Sequence, residues 1–258
     1  MALAVVLLAA AGVMIRSFLN IYRADLGVNA ANVLTVSIDL PATKYPSADR
    51  WVSFYERLEG RLEAIPGVES IAIADRLPTK GVRRLPYELA GASSVDEPRP
   101  MLGALTVGPA YFATLGAAIL SGREFNDADG ESQLAVALVN QQFASTHWPG
   151  ENALGQRLRL FAGQTPQEWL TVVGVVSNIE QDARTPHAFD PLIYLPYRQR
   201  PVKSMDMVAR TRVSPETLRT VFRREIQAVD SDLPVFGPFT LAERLETIGA
   251  TDYMECCF

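Results

Sequence analysis

Apolar and polar positions fall into regular patterns at both ends of this chain. Phe54, Leu58, Leu62 and Ile65 recur at steps of four, four and three, which predicts one stripe of an amphipathic helix. Glu56, Arg57, Glu59, Arg61 and Glu63 fill its wet face. Pro66-Gly67 ends the helix and turns the chain. Val68, Ile71 and Ile73 then supply the apolar part of a strand. Upstream, residues 32–40 read NVLTVSIDL and alternate as a strand does. Strand, helix and strand form a βαβ unit. Two strands make too small a sheet to cover the helix stripe, so pairing partners must come from elsewhere in the chain.

The last third repeats this texture. Residues 205–212 (MDMVARTR) alternate, and Ser214 is expected to cap a helix whose first turn holds Pro215 and Glu216. Leu218, Val221, Phe222, Ile226 and Val229 form its stripe, and Val235-Phe236 begins a final strand. The two βαβ units are expected to share one four-stranded sheet with two helices on one face. Between them the elements are short. Residues 79–100 read as loop with one strand at 87–90. Strands are predicted over 102–107, 117–120, 134–139, 158–161, 168–179 and 192–195, with a helical turn or two over 109–115. Asn140 caps a short helix running to His147, which Trp148-Pro149-Gly150 terminates. The fold class expected is α+β: a lobe of two βαβ units, in two halves at 32–79 and 203–240, with a β-rich lobe inserted at 80–202.

The N-terminus has a different character. Residues 2–15, ALAVVLLAAAGVMI, are apolar without a break, and Ile15, Phe18, Leu19 and Tyr22 carry one helical face onward. This predicts a transmembrane helix with a juxtamembrane extension over residues 1–23, placing Ala2, Val5, Leu8, Val13, Ile15, Phe18 and Leu19 in the membrane segment. The run is shorter than the ~20 residues that span a bilayer, so the helix reads as truncated. It lacks a basic n-region, which counts against a cleaved signal peptide. Only ADLGVNAA separates Arg23 from the first strand, and the alanine and leucine near its start favour continued helix over a loose linker.

Composition narrows the function. The net charge of −5 argues against a nucleic-acid footprint. The two cysteines, Cys256 and Cys257, are adjacent and near the end, so they staple nothing. The stretch from Gly150 to Arg157 has the glycine spacing of a phosphate loop. Gln156 stands where the lysine belongs, however, and Arg157 where a magnesium-binding hydroxyl belongs. The acidic run Asp127, Asp129 and Glu131 has its glycine, Gly130, too early for an EF-hand and reads as a solvated turn. His147 and His187 are isolated from each other and from any thiol. No G-x-S-x-G elbow occurs. No catalytic, cofactor-binding or metal-binding residue is therefore assigned, and the chain is expected to be no enzyme.

Several short segments carry a resemblance. They are Ser17-Phe18, Asn32-Val33-Leu34, Phe54-Tyr55, Pro66-Gly67-Val68-Glu69-Ser70 and Val107-Gly108-Pro109-Ala110-Tyr111-Phe112. Leu120-Ser121-Gly122-Arg123-Glu124-Phe125, Trp148-Pro149-Gly150, Leu154-Gly155, Val172-Val173-Gly174-Val175-Val176 and Asp232-Leu233-Pro234 complete the set. In this order and spacing, over residues 5–246, the chain resembles the extracytoplasmic core domain of MacB-type ABC transporter permeases. These belong to the larger family that includes FtsX and the lipoprotein-releasing permeases. The resemblance implies a porter-like lobe with a second lobe inserted, standing on membrane helices in a bacterial inner membrane. It implies as partners the lipid bilayer, a cytoplasmic ABC ATPase subunit, a second permease copy and a periplasmic adaptor protein. It also implies a second membrane helix after Glu246, where the chain instead reads TIGATDYMECCF; residues 247–258 therefore look like an atypical tail, and the chain like a fragment. The other reading left open is a membrane-anchored binding or signalling module without transport.

Overall fold

The computed structural model describes residues 26–78, 80–91, 98–130, 133–181, 190–245 and 247. The architecture is mixed α/β, in the order β1 (Val33–Asp39), α1 (Ala48–Glu63), β2 (Val68–Ala74), β3 (Arg83–Leu89), β4 (Met101–Val107), α2 (Tyr111–Leu115) and β5 (Ile119–Gly122). There follow β6 (Val136–Asn140), α3 (Gln141–His147), β7 (Arg157–Ala162), β8 (Thr165–Val176), β9 (Leu192–Pro196), β10 (Ser204–Thr211), α4 (Pro215–Val229) and β11 (Phe236–Thr240).

The two βαβ units interleave. β10 lies antiparallel between β1 and β2, from Val33 opposite Arg210 to Asp39 opposite Ser204 on one side and from Asp206 opposite Ala74 on the other. β11 joins the far side of β1, also antiparallel. The order β11-β1-β10-β2 therefore threads each βαβ unit through a strand of the other, the split-βαβ arrangement. The alternation of β1 explains which face meets the helices. Leu34, Val36 and Ile38 join Phe54, Leu58, Leu62, Leu218, Phe222 and Ile226 in one buried cluster under α1 and α4. Tyr55 is buried there too, its hydroxyl donating to the carbonyls of Ile38 at 3.2 Å and Lys203 at 2.9 Å.

Residues 80–202 hold a barrel. β4 pairs β3, β3 pairs β7, β7 pairs β8, β8 pairs β6, β6 pairs β9, and β9 returns to β4, closing six strands. The β4–β9 and β6–β8 contacts are parallel and the others antiparallel. Its interior is filled by side chains such as Leu102, Ala137, Val139, Leu158, Leu170 and Ile193, as expected of a barrel this small. α3 packs Phe143, His147 and Trp148 against Tyr87 at one end. Asn140 caps α3 as expected, accepting from the Phe143 amide at 2.9 Å. Ser214 does not cap α4. Its hydroxyl turns to the Glu216 carboxylate instead, leaving Pro215 to start the helix.

The barrel is not set apart from the rest. A third cluster joins Val33, Ala72 and Val208 from the far face of the split-βαβ sheet to Tyr111, Phe112, Leu138 and Tyr194. One sheet pair, Ala74 opposite Val107, makes the strands continuous. Tyr197, just beyond β9, reaches the α1 side, its ring 5.8 Å from that of Tyr55.

Candidate functional site

The first and last of the described residues meet the sheet at one place. Residues 26–32 are not helical, contrary to the continued helix expected through the connection. Gly27 takes φ +71°, and a Cβ there would stand 1.9 Å from the Asn178 carbonyl oxygen, so only glycine lets the chain pass. The Leu26 carbonyl accepts from the Glu180 amide at 3.0 Å, and the Asn29 amide donates to the Leu115 carbonyl at 2.7 Å. The Asn29 side chain accepts from the Ala31 amide at 3.0 Å, closing a local turn. Arg210 on β10 then holds three carbonyls at once: Thr114 at 2.8 Å, Asn29 at 2.9 Å and Ala31 at 3.2 Å. The segment is stiff because tertiary partners pin it, not because helix continues through it.

The other end lies alongside. Thr240, the last residue of β11, is the register partner of Leu34 in β1. Thr240 and Glu243 form a reciprocal capping box. The Glu243 amide donates to Thr240 Oγ1 at 3.1 Å, and the Thr240 amide to Glu243 Oε2 at 2.8 Å. Glu243 also binds Arg219 of α4 at 2.6 Å, which holds its carboxyl below the usual range, with the Thr240 amide assisting. Leu241 is fully buried in the shared cluster. The chain thus enters β1 and leaves β11 side by side, each end fastened to the helical or barrel packing behind it.

A second feature is a cavity of about 180 Å³ at the opposite end of the sheet, lined by Ser37, Asp39, Asp75, Lys80, Asp206 and Phe236 among others. Its charges answer one another. Asp206 takes a hydrogen bond from Ser37 and an ion pair from Lys80 at 3.5 Å. Asp39 is 3.6 Å from Lys203 and accepts from Ser204, while Arg244 donates to Ser37 at 3.2 Å. Three aspartates against two lysines and an arginine give no net preference for an anion or a cation.

The chemical motifs of the sequence are used structurally. In the Gly150 to Arg157 stretch the amides of Glu151, Leu154, Gly155 and Gln156 donate to Trp148, Asn152, Val172 and Ala153, so they are taken by protein acceptors. In the acidic turn Asp127 is solvated as expected, but Asp129 is not. Asp129 is buried, gripped by Arg123 through two contacts of 2.7 Å and by the Asn126 amide at 2.9 Å. His147 takes part in a 2.7 Å hydrogen bond with the Tyr87 hydroxyl, and burial lowers its pKa. His187 and Glu131 lie outside the described residues. Among those described, no three His, Cys, Asp or Glu side chains are placed to share a metal ion. No helix among them is long and apolar enough to cross a membrane, and Ala2, Val5, Leu8, Val13, Ile15, Phe18 and Leu19 all fall outside them.

Residues 1–227 match a family described as the MacB-like periplasmic core domain. The periplasmic region of MacB from Actinobacillus actinomycetemcomitans superposes with a TM-score of 0.54 at 14% identity, covering 91% of this chain and 98% of that one. The extracellular domain of the noncanonic ABC-type transporter YknZ from Gram-positive bacteria gives a TM-score of 0.49 at 14% identity, covering 80% of this chain and 100% of that one. Compared with curated proteins, the chain finds no match.

Proposed function

This chain belongs to the family of MacB-like periplasmic core domains, and we infer from that membership that its extracytoplasmic part does mechanical work driven by cytoplasmic ATP hydrolysis. The domain is extracytoplasmic and belongs to an ABC-type permease. The rest is proposal: a membrane helix formed by residues 1–23, a cytoplasmic ATPase subunit below it, a second permease copy beside it and a periplasmic adaptor above. The chain itself carries no catalytic step.

One observation supports this reading above others. The entrance to β1 and the exit from β11 are register partners, Leu34 and Thr240, and each is pinned to packed structure within a few residues. Two membrane helices attached there would act on adjacent strands of one sheet. A displacement at the entrance to β1 would pass into the sheet as a rigid-body movement instead of being absorbed by a linker.

The test is an insertion of about ten Gly/Ser residues after Gly27, in the complete transporter reconstituted with its ATPase. The insertion leaves the three buried clusters untouched, so the domain should fold. ATP turnover should continue while transport falls away from it. Unchanged transport per ATP in the insertion variant overturns the proposal.

A further inference from the structure

We propose that the seam between the split-βαβ half and the barrel tightens as the surrounding medium becomes acidic, with Asp75 and Glu59 as the responding groups. The proposal does not depend on transport or on an ATPase.

The seam is thin in backbone pairing. Its single sheet pair, Ala74 opposite Val107, is flanked by the Gly108 amide on the Ile73 carbonyl at 2.8 Å and the Asp75 amide on the Thr106 carbonyl at 2.9 Å. Beyond that point the ladder is carried on by a side chain, because Asp75 Oδ1 accepts from the Thr106 amide at 3.1 Å. Asp75 stands half-buried. Around it are Arg76 beside it in sequence, Arg83 of β3, Asp206 of β10 and the phenol of Tyr111 on α2. Lys80, which lines the same cavity as Asp75, pairs with Asp206.

The second contact lies where α1 faces the turn after β9. Arg198 in that turn clamps Glu56 of α1 at 2.8 Å and Asp127 of the barrel's β5–β6 connection at 3.1 Å. Glu59 is half-buried one turn along α1. Glu56 and Glu63 flank it on its own helix, and Tyr197, Arg198 and Asp127 face it from the barrel side. One guanidinium, already engaged by two carboxylates, is left to offset a third.

Burial pushes both carboxyls up: Asp75 to about 6, against the Thr106 amide and two arginines, and Glu59 to about 8, with Glu63 adding to the rise. Both values lie above those of an unfolded chain, roughly 4. The closed seam therefore binds more protons than an opened, hydrated one. The contribution of these two groups to its stability is fully present below roughly pH 4 and is lost as pH rises through 6 and then 8. Neutral Glu59 no longer repels Glu56, Glu63 and Asp127. Neutral Asp75 still accepts from Thr106 through its carbonyl oxygen.

The experiment places nitroxide labels at Thr220→Cys on α4 and Thr165→Cys on the barrel, both exposed, in the full chain in lipid nanodiscs with Cys256→Ser and Cys257→Ser. The label-to-label distance distribution is read by pulsed electron paramagnetic resonance from about pH 5 to about pH 9. The parent should give a narrow distribution in acid that broadens as pH rises. Asp75→Asn and Glu59→Gln should each reduce that broadening, and the double variant should remove most of it. A parent distribution that does not change with pH overturns the proposal without recourse to any variant. So does a double variant that titrates like its parent.

Discussion

Replacing Arg210 by methionine should unfasten the N-terminal connection while leaving both cores intact. The substitution keeps an unbranched apolar stem and removes every donor. The bond to the Thr114 carbonyl, at 2.8 Å, is made to a fully buried residue, and a charge-assisted bond of that kind is worth roughly 1.5–3 kcal/mol. The bonds to Asn29 and Ala31 are exposed, where water competes, and together add about 1 kcal/mol. The total is therefore about 2–4 kcal/mol, or a fall in Tm of roughly 5–12 °C for a domain of this size. Hydrogen exchange locates the change: amides of residues 29–33 should exchange faster, whereas those of β2 and α1 should keep their order of protection. Arg210→Lys should recover only part of the loss, because an ammonium cannot span three carbonyls arranged around a planar fork. An Arg210→Met protein that melts within a degree or so of the parent, with residues 29–33 equally protected, refutes the pinning argument.

Two further outcomes are expected. Asp230 is buried, and burial alone would raise its pKa. Lys44 at 2.6 Å, Tyr45 at 2.7 Å and the Asp232 amide at 3.1 Å hold it below the ordinary value. Its contribution is present above roughly pH 4 and lost as pH falls through the lowered folded value, so Asp230→Asn should cost about 1–2 kcal/mol near neutrality and almost nothing near pH 2. Urea midpoints of both proteins against pH decide this, and a gap that persists unchanged in strong acid counts against it. The full chain should also give no heat with magnesium-ATP in titration calorimetry, because Gln156 and Arg157 replace the phosphate-loop lysine and hydroxyl, and the amides of Glu151, Leu154, Gly155 and Gln156 are already spent on protein acceptors. Micromolar binding there sinks that claim.

The local elements were largely legible, and the long-range ones were not. Phe54, Leu58, Leu62 and Ile65 are all buried, as a stripe with steps of four and three requires. The Leu218, Phe222 and Ile226 stripe behaves alike. The closure of the barrel has no such signal. Gly103 meets Leu192 in parallel register across almost ninety residues, and nothing in either segment names the other. Residues 26–32 depart from helix because Gly27, Asn29 and the Arg210 fork override a weak propensity. The capping box from Thr240 to Glu243 is readable as T-x-x-E, and Leu241, Leu245 and Ile248 recur beside it at steps of four and three. Arg210 itself sits among alternating strand residues, and its importance comes only from what folds up against it.

The interleaved topology decides where a movement applied at the entrance to β1 and the exit from β11 would go. β1 is flanked on both sides, by β11 and β10, so the chain entering at Val33 acts on the interior of the sheet. β11 is an edge strand held by β1, so the exit at Thr240 acts on the rim. A relative displacement of the two must be taken up within the β1–β11 ladder, whose register already shifts between Thr35 and Ser37. The β1–β10 ladder is regular through seven residue pairs and resists such sliding. From β10 the covalent chain leads straight back through Lys203 and Tyr197 to β9 and the barrel wall. The rim is thus the compliant contact and the centre the stiff one, which directs a movement of the N-terminal connection toward the barrel and leaves β11 to yield.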